Sequence, residues 1–354
     1  KSTWEAVLEE DKPMDRVQIN ALYDYIQGTL QNDAEAVKWF QKAAKQDHVA
    51  GQVNLAFMYA NGRGVTQNHA EAVKWFQKAA EQGNATSQVN LGNLYAKGQG
   101  TAQNDTEATK WYRQAAEQGD ARGQVNLGFM YEHGLGVTRD YVEAAKWFRR
   151  AADQNDTDAQ INLGFMYQNG LGMARDYAAA VACFRRAAEQ GDAIAQNALG
   201  TLYANGQGVT KDAFEAVKWF RQAAEKGLSS GQVNLGLLYE NGRGVATDDA
   251  EAAKWYRQAA EQCDAHGQFN LGRCHANGFG VVQDDVQAYQ WVTLATGGFF
   301  TSETTTRFQD LGRAIELRDE LAKQMTPAQI ARANQLVQEW KSTQSHHPGL
   351  KAGA

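Results

Sequence analysis

A period of 36 residues constrains this chain more than any other feature in it. Trp39, Trp75, Trp111, Trp147, Trp219, Trp255 and Trp291 fall on one grid of that spacing, broken only where Cys183 replaces the indole. Tyr23, Tyr59, Tyr95, Tyr131, Tyr167, Tyr203 and Tyr239 make a second grid, which ends on His275. Alanine pairs such as Ala79-Ala80 and glycine pairs such as Gly98/Gly100 keep the same phase. Chance does not put four grids in register, and a period of this length means stacked supersecondary units rather than one globular core.

Each unit reads as two antiparallel helices. The first is typified by Gly51 to Tyr59 and stops at Asn61-Gly62-Arg63-Gly64, where glycine can take the left-handed conformation that closes a helix. The second starts at an Asn or Asp in every unit: Asn32, Asn68, Asn104, Asp140, Asp176, Asp212, Asp248 and Asp284. Three residues later stands Glu35, Glu71, Glu107, Glu143, Glu215, Glu251 or Gln287, with Ala179 the exception, which is the spacing of a capping box. Gly83, Gly119, Gly191 and Gly227 end the second helix, and Asp47, Asn155 and Cys263 take that place elsewhere, substitutions the fold is expected to survive.

With only 3 prolines in 354 residues, and much alanine, glutamate, glutamine and lysine, helix is the expected state throughout. Beyond the grid, Arg307 to Met325 reads as a helix with Phe308, Leu311, Ile315, Ala322 and Met325 on one face, widened by Leu317 and Leu321. Thr326-Pro327 opens another that carries Ile330, Leu336, Val337 and Trp340. The expected fold is all-α: a right-handed α/α superhelical solenoid of about eight helix-turn-helix repeats of 36 residues with a C-terminal helical cap. Its expected divisions are a lead-in over 1–14, repeats over 15–302, capping helices over 303–340 and a flexible tail over 341–354.

Several function classes fall away. A formal charge of −6 without long single-sign runs argues against a nucleic-acid partner. No apolar run approaches the roughly 18 residues that cross a bilayer. Three cysteines, Cys183, Cys263 and Cys274, do not describe a disulfide framework. The types in Cys263, His266, Cys274 and His275 suit zinc, but the two histidines lie about 13 Å apart along one helix, too far for one ion. The glycine segments lack a phosphate loop's lysine and preceding strand. No nucleophile, base and oxyanion site converge, so no catalytic residue, metal, cofactor or small-molecule substrate is expected. The tryptophan and tyrosine grids read as core spacers rather than stacking platforms.

The candidate binding residues lie on the first helices. Asn54, Asn90, Asn126, Asn162, Asn234 and Asn270 form a row interrupted by Ala198. Three positions on, along the same helical face, come Phe57, Asn93, Phe129, Phe165, Thr201, Leu237 and Arg273. If first helices line a concave surface, an amide ladder can hydrogen-bond a bound backbone while Phe57, Phe129 and Phe165 anchor it. The alternative is that the asparagines bond to a neighbouring helix or loop. The variable row is the better candidate for specificity, because packing tolerates Phe-to-Asn-to-Arg changes poorly.

The unit from 70 to 100, with Ala70-Glu71-Ala72-Val73-Lys74-Trp75-Phe76 and Asn90-Leu91-Gly92, resembles the SEL-1-like repeat family, relatives of the tetratricopeptide repeat. The resemblance covers residues 15 to 300; the first unit, which keeps Tyr23 and Gly28, is degenerate. It implies a bacterial, non-enzymatic protein-binding scaffold. Bacterial members include secreted factors that bind host proteins, envelope scaffolds, and periplasmic immunity proteins that neutralise phospholipase effectors. The implied partner is another protein, a toxin-type effector or a host factor. A periplasmic or secreted location is favoured, since a chain opening at Lys1 fits a processed form.

Overall fold

The computed structural model describes residues 33–301 and 307–345. Tyr23, Gly28, Asn32 and residues 346–354, all given roles above, lie outside the described residues. Among the described residues there are seventeen helices and no strand, in the succession of helix pairs that an eight-repeat α-solenoid requires. Fourteen of them have 13 residues each. The second helices of the units are α1 (Asp33–Lys45), α3 (His69–Glu81), α5 (Asp105–Glu117), α7 (Tyr141–Asp153), α9 (Tyr177–Glu189), α11 (Ala213–Glu225) and α13 (Asp249–Glu261). The first helices are α2 (Val49–Asn61), α4 (Ala85–Lys97), α6 (Ala121–His133), α8 (Thr157–Asn169), α10 (Ala193–Asn205), α12 (Ser229–Asn241) and α14 (Ala265–Asn277). Three longer helices follow: α15 (Asp285–Thr301), α16 (Arg307–Gln324) and α17 (Pro327–Ser345). They form two compact units, one up to Arg175 and one from Asp176.

The second helices begin as a capping box would, but only half of the box forms. The Asn68 side chain accepts from the Glu71 amide at 3.1 Å, and Asp140 accepts from Val142 and Glu143 at 2.9 and 3.0 Å. The Glu does not return the bond. Instead the backbone N–H of five caps donates to the carbonyl of the grid tyrosine, as Asn68 does to Tyr59 and Asp140 to Tyr131, both at 2.9 Å. The freed glutamate bonds forward to a lysine three residues on, as Glu143 does to Lys146 at 2.6 Å. One helix start is thereby tied to the end of the helix before it.

Two glycine positions set how closely elements meet. At Gly136 (φ 64) a Cβ would sit 2.2 Å from the Asp105 carbonyl oxygen, so the loop after α6 lies directly on the first residue of α5. At Gly128, inside α6, a Cβ would sit 2.7 Å from the Phe148 ring; the missing side chain is the seat for that ring. Asp47, Asn155 and Cys263 keep the left-handed φ of the glycines they replace, at 57°, 67° and 65°. The conformation is imposed by the turn, and the residues absorb the strain.

The tryptophans are spacers: Trp39, Trp75, Trp111, Trp147, Trp219 and Trp291 are all buried. Trp75, Trp111, Trp147 and Trp219 stand against lysine or arginine side chains, Arg150 lying 4.4 Å from the Trp147 ring centre. The end of the array is closed by α16 and α17 against α15. Ala288, Leu321, Met325 and Ala333 form one cluster there, Val292, Ala295, Phe299 and Ala314 another, and Trp291 meets Trp340 edge-on at 5.1 Å. The fully buried centre is Ala314 and Ala333 rather than Ile315 or Ala322, because small residues let these helices approach closely. Thr326 and Gln329 do make a complete capping box. The last helix continues through Ser345, beyond the tail boundary expected at Lys341.

Six first helices carry a side-chain cap from His48, Asn84, Asp120, Asp156, Asp192 or Asp264, but Leu228 makes none. Leu228→Asp should therefore raise stability by about 1 kcal/mol, read as a higher urea midpoint. His275, buried where other repeats have tyrosine, has its pKa lowered by burial first and by Arg257 next. The unfolded chain then takes up the proton before the folded one does. Stability is complete above the unfolded value of about 6.5 and falls as pH drops below it. His275→Tyr should flatten that acid-side decline relative to the parent in melts across the same pH range.

Candidate interaction face

The asparagine row is largely engaged within the protein. The side-chain amides of Asn54 and Asn90 donate to Ala50 and Thr86 one turn back, at 2.9 and 2.8 Å. Asn126 donates to the Asn93 Oδ1 at 3.4 Å and Asn234 to the Asn197 Oδ1 at 2.9 Å, while Asn270 is buried. Asn162 is half-buried. Four of the six amides thus spend a donor on their own or a neighbouring helix.

The variable row divides into positions that answer the core and positions that project. Phe57 sits edge-on against Phe76, with centroids 5.1 Å apart. Where the equivalent ring is Tyr112, Asn93 accepts its hydroxyl at 2.8 Å. In the second unit Tyr256 donates to Glu240 at 2.6 Å, and Arg273 closes on the same carboxylate at 2.5 and 2.6 Å. Burial, then the Glu240 bond, pushes the Tyr256 hydroxyl far above its ordinary pKa. The Phe-to-Asn change thus supplies a buried hydroxyl with its partner, whereas Tyr256, opposite the apolar Leu237, takes Glu240 instead and Arg273 pairs with that carboxylate from the next repeat. Leu237 is half-buried and Thr201 bonds the Asn197 carbonyl at 3.0 Å.

Phe129 and Phe165 project, at 45% and 36% exposure. Phe129 stacks on His133 with centroids 4.0 Å apart. In the same unit a cleft of about 200 Å³ lies across α4, α6 and α8, lined by Val89, Val125, Asn93, Asn126, Arg122, Asp156 and Asp158. It joins both asparagine positions to an exposed arginine and two carboxylates. Arg122 and Asp158 carry no repeat signature and Asp156 recurs only as a helix cap, so nothing in the periodicity marks them as site residues.

A second missed feature is periodic and was readable. Gln52, Gln88, Gln124, Gln232 and Gln268 lie on the 36-residue grid and are buried. Gln82, Gln118, Gln154 and Gln262 each donate to the glutamine 30 positions earlier, at 2.8, 2.7, 2.8 and 2.8 Å. The buried glutamines donate in turn to carbonyls such as Ala80 and Ala116, at 3.1 and 3.3 Å. This amide spine runs from repeat to repeat inside the packing, where the sequence had suggested an amide ladder for a ligand.

The cysteine–histidine set disperses. Cys263 is exposed, Cys274 is buried with its thiol pushed up to about 11 by burial, and His266 meets Phe299 edge-on at 4.9 Å. Among the described residues no three His, Cys, Asp or Glu gather as a metal site would need, and no helix is long and apolar enough to cross a membrane.

A family model described as "Sel1 repeat" matches the chain at residues 23–48, 49–84, 85–120, 121–156, 157–192, 193–228, 229–262 and 265–296. Among solved structures, a protective antigen present in uropathogenic Escherichia coli strains is 32% identical. The match covers 95% of this chain and 87% of the antigen, with a TM-score of 0.50. A Sel1 repeat protein from Oxalobacter formigenes is also 32% identical, over 69% of this chain and 96% of that one, with a TM-score of 0.63. No curated protein matches the sequence.

The two amide rows should respond differently to truncation. Gln124→Ala removes the acceptor for Gln154 and the donor to Ala116, and should cost about 1–3 kcal/mol. Asn90→Ala removes one bond to its own helix and should cost less than about 1 kcal/mol. Denaturant titrations of the two variants read the difference.

Proposed function

The chain belongs to the Sel1 repeat family, and from that premise we propose that it is a non-enzymatic scaffold that binds a protein partner on the first-helix face of its N-terminal unit. Sel1 repeat proteins are generally scaffolds without enzymatic activity and bind other proteins. The observation that carries the reading is the pair Phe129 and Phe165, exposed on successive first helices beside the polar cleft of Arg122, Asn93 and Asn126. Exposed aromatic anchors next to fixed polar groups are the composition of an interaction hot spot. A segment laid across α4, α6 and α8 would bury both rings and meet Arg122 with an acceptor.

Of the candidate row, Phe129 and Phe165 are assigned to the partner, with Asn93 and Asn126, which also bond internally, lining the cleft beside them. Phe57, Asn54, Asn90, Asn234, Leu237, Asn270 and Arg273 are assigned to the scaffold, given the internal contacts they make.

Two finer roles are proposed for such a scaffold, both periplasmic or extracellular. The first is an immunity-type inhibitor that holds a delivered, phospholipase-type toxin in a stoichiometric complex. The second is an envelope or secreted factor that binds a host protein. The second is supported by the 32% identity, over 95% of this chain, to a protein described as a protective antigen of a pathogen.

Affinity capture with the parent and the Phe129→Ala/Phe165→Ala variant tests the face. The variant should lose the partner by at least about tenfold, as expected for two hot-spot rings, while keeping its helical melt. Equal capture by parent and variant refutes this face. A captured enzyme whose activity stops at equimolar scaffold selects the first role, and a captured host protein the second.

A further inference from the structure

The second helices carry their positive charge in two rows that are treated differently. In one row five lysines are each paired with a glutamate three residues before them: Lys74, Lys110, Lys146, Lys218 and Lys254 pair with Glu71, Glu107, Glu143, Glu215 and Glu251 at 2.6 to 3.4 Å. Where the glutamate is replaced by Ala179, the lysine is replaced too, by Ala182. Charge in this row exists only with its counter-charge.

The other row is Arg113 and Arg149 in the first unit, and Arg185, Arg221 and Arg257 in the second. Each of the first four donates one N–H to a grid tyrosine hydroxyl, Arg185 to Tyr203 at 2.7 Å and Arg221 to Tyr239 at 2.8 Å. Arg149, Arg185, Arg221 and Arg257 are exposed, and among the described residues none of the five forms an ion pair. The tyrosine bond does not require the charge, because Gln41 makes the same bond to Tyr59 at 3.3 Å. Five successive repeats nonetheless keep a guanidinium here. A guanidinium fixed on one side by a hydroxyl, with its remaining donors in solvent, is preorganised to take a carboxylate.

One turn further along the same helices stand exposed carboxylates: Glu117, Asp153, Glu189, Glu225 and Glu261. A broad polyanionic surface, whether a nucleic-acid backbone or an anionic bilayer, would meet both rows together and be repelled by the second. A narrow acidic segment can address the arginines alone. We propose that the row Arg185, Arg221 and Arg257 is a second docking strip, separate from the first-helix face, for an acidic stretch of a partner protein with carboxylates at intervals along it.

The test uses the full chain and a fluorescein-labelled oligo-glutamate peptide, followed by anisotropy at low and high salt. The variant is Arg185→Gln/Arg221→Gln/Arg257→Gln, in which glutamine at the first two positions can keep the bonds to Tyr203 and Tyr239 as Gln41 does to Tyr59. The parent should bind with an affinity that weakens as salt rises, and the variant should bind roughly tenfold or more weakly with an unchanged helical melt. Phe129→Ala/Phe165→Ala should bind the peptide like the parent, so failure of this strip and failure of the first-helix face are separate results. No binding by the parent, or equal binding by the triple variant, overturns the proposal. So does binding of phosphatidylglycerol vesicles or oligothymidylate that matches the peptide and is lost in the same variant, because the strip would then be a general anion surface.

Discussion

The close approach of backbone to backbone at the second loop glycine is the constraint on which the repeats depend. At Gly64, Gly100, Gly136, Gly172, Gly208, Gly244 and Gly280 an added Cβ would fall within 1.9 to 2.4 Å of main-chain atoms at the start of the preceding second helix. No side chain fits that gap. The loop can therefore sit on a helix start only if the residue is glycine, and its positive φ then aims the chain into the next repeat. The cap-to-tyrosine carbonyl bond forms in the same corner. Helix ends, the costliest places to leave backbone groups unpaired, are thus satisfied by neighbours rather than by water alone.

That arrangement frees the outward surfaces. With helix termini, the tryptophan spacers and the glutamine spine all internal, stability comes from contacts within and between adjacent repeats, as in other solenoids. Individual outward positions can then vary without cost to the fold. Phe129, Phe165 and Arg122 are such positions on the first helices, and the unpaired arginines are such positions on the second. Arg273 is not one of them, since it closes a half-buried carboxylate beside Tyr256.

The architecture was legible because its causes are local and repeated. A helix stop at Gly62, a cap at Asn68 and a spacer at Trp75 each follow from one residue's own preferences, and a period of 36 multiplies the evidence. The candidate site was only half legible. Its row was identified, but a side chain at that row has two possible uses, and a single sequence shows residue type without direction. Asn93 and Asn90 are the same residue; one receives a buried tyrosine hydroxyl and the other folds back on its own helix.

By itself, then, the sequence determined the repeat, its all-helical state and the turn positions, since these follow from backbone geometry and short-range capping. Tertiary structure alone decided which amides are internal, which aromatic side chains project and which of the described cations stand outside an ion pair. Those outcomes depend on what stands opposite each side chain in the next helix, and for Tyr112 and Asn93 that opposite residue is nearly twenty positions away. Packing between repeats, rather than propensity within them, separates the scaffold from the surface it offers.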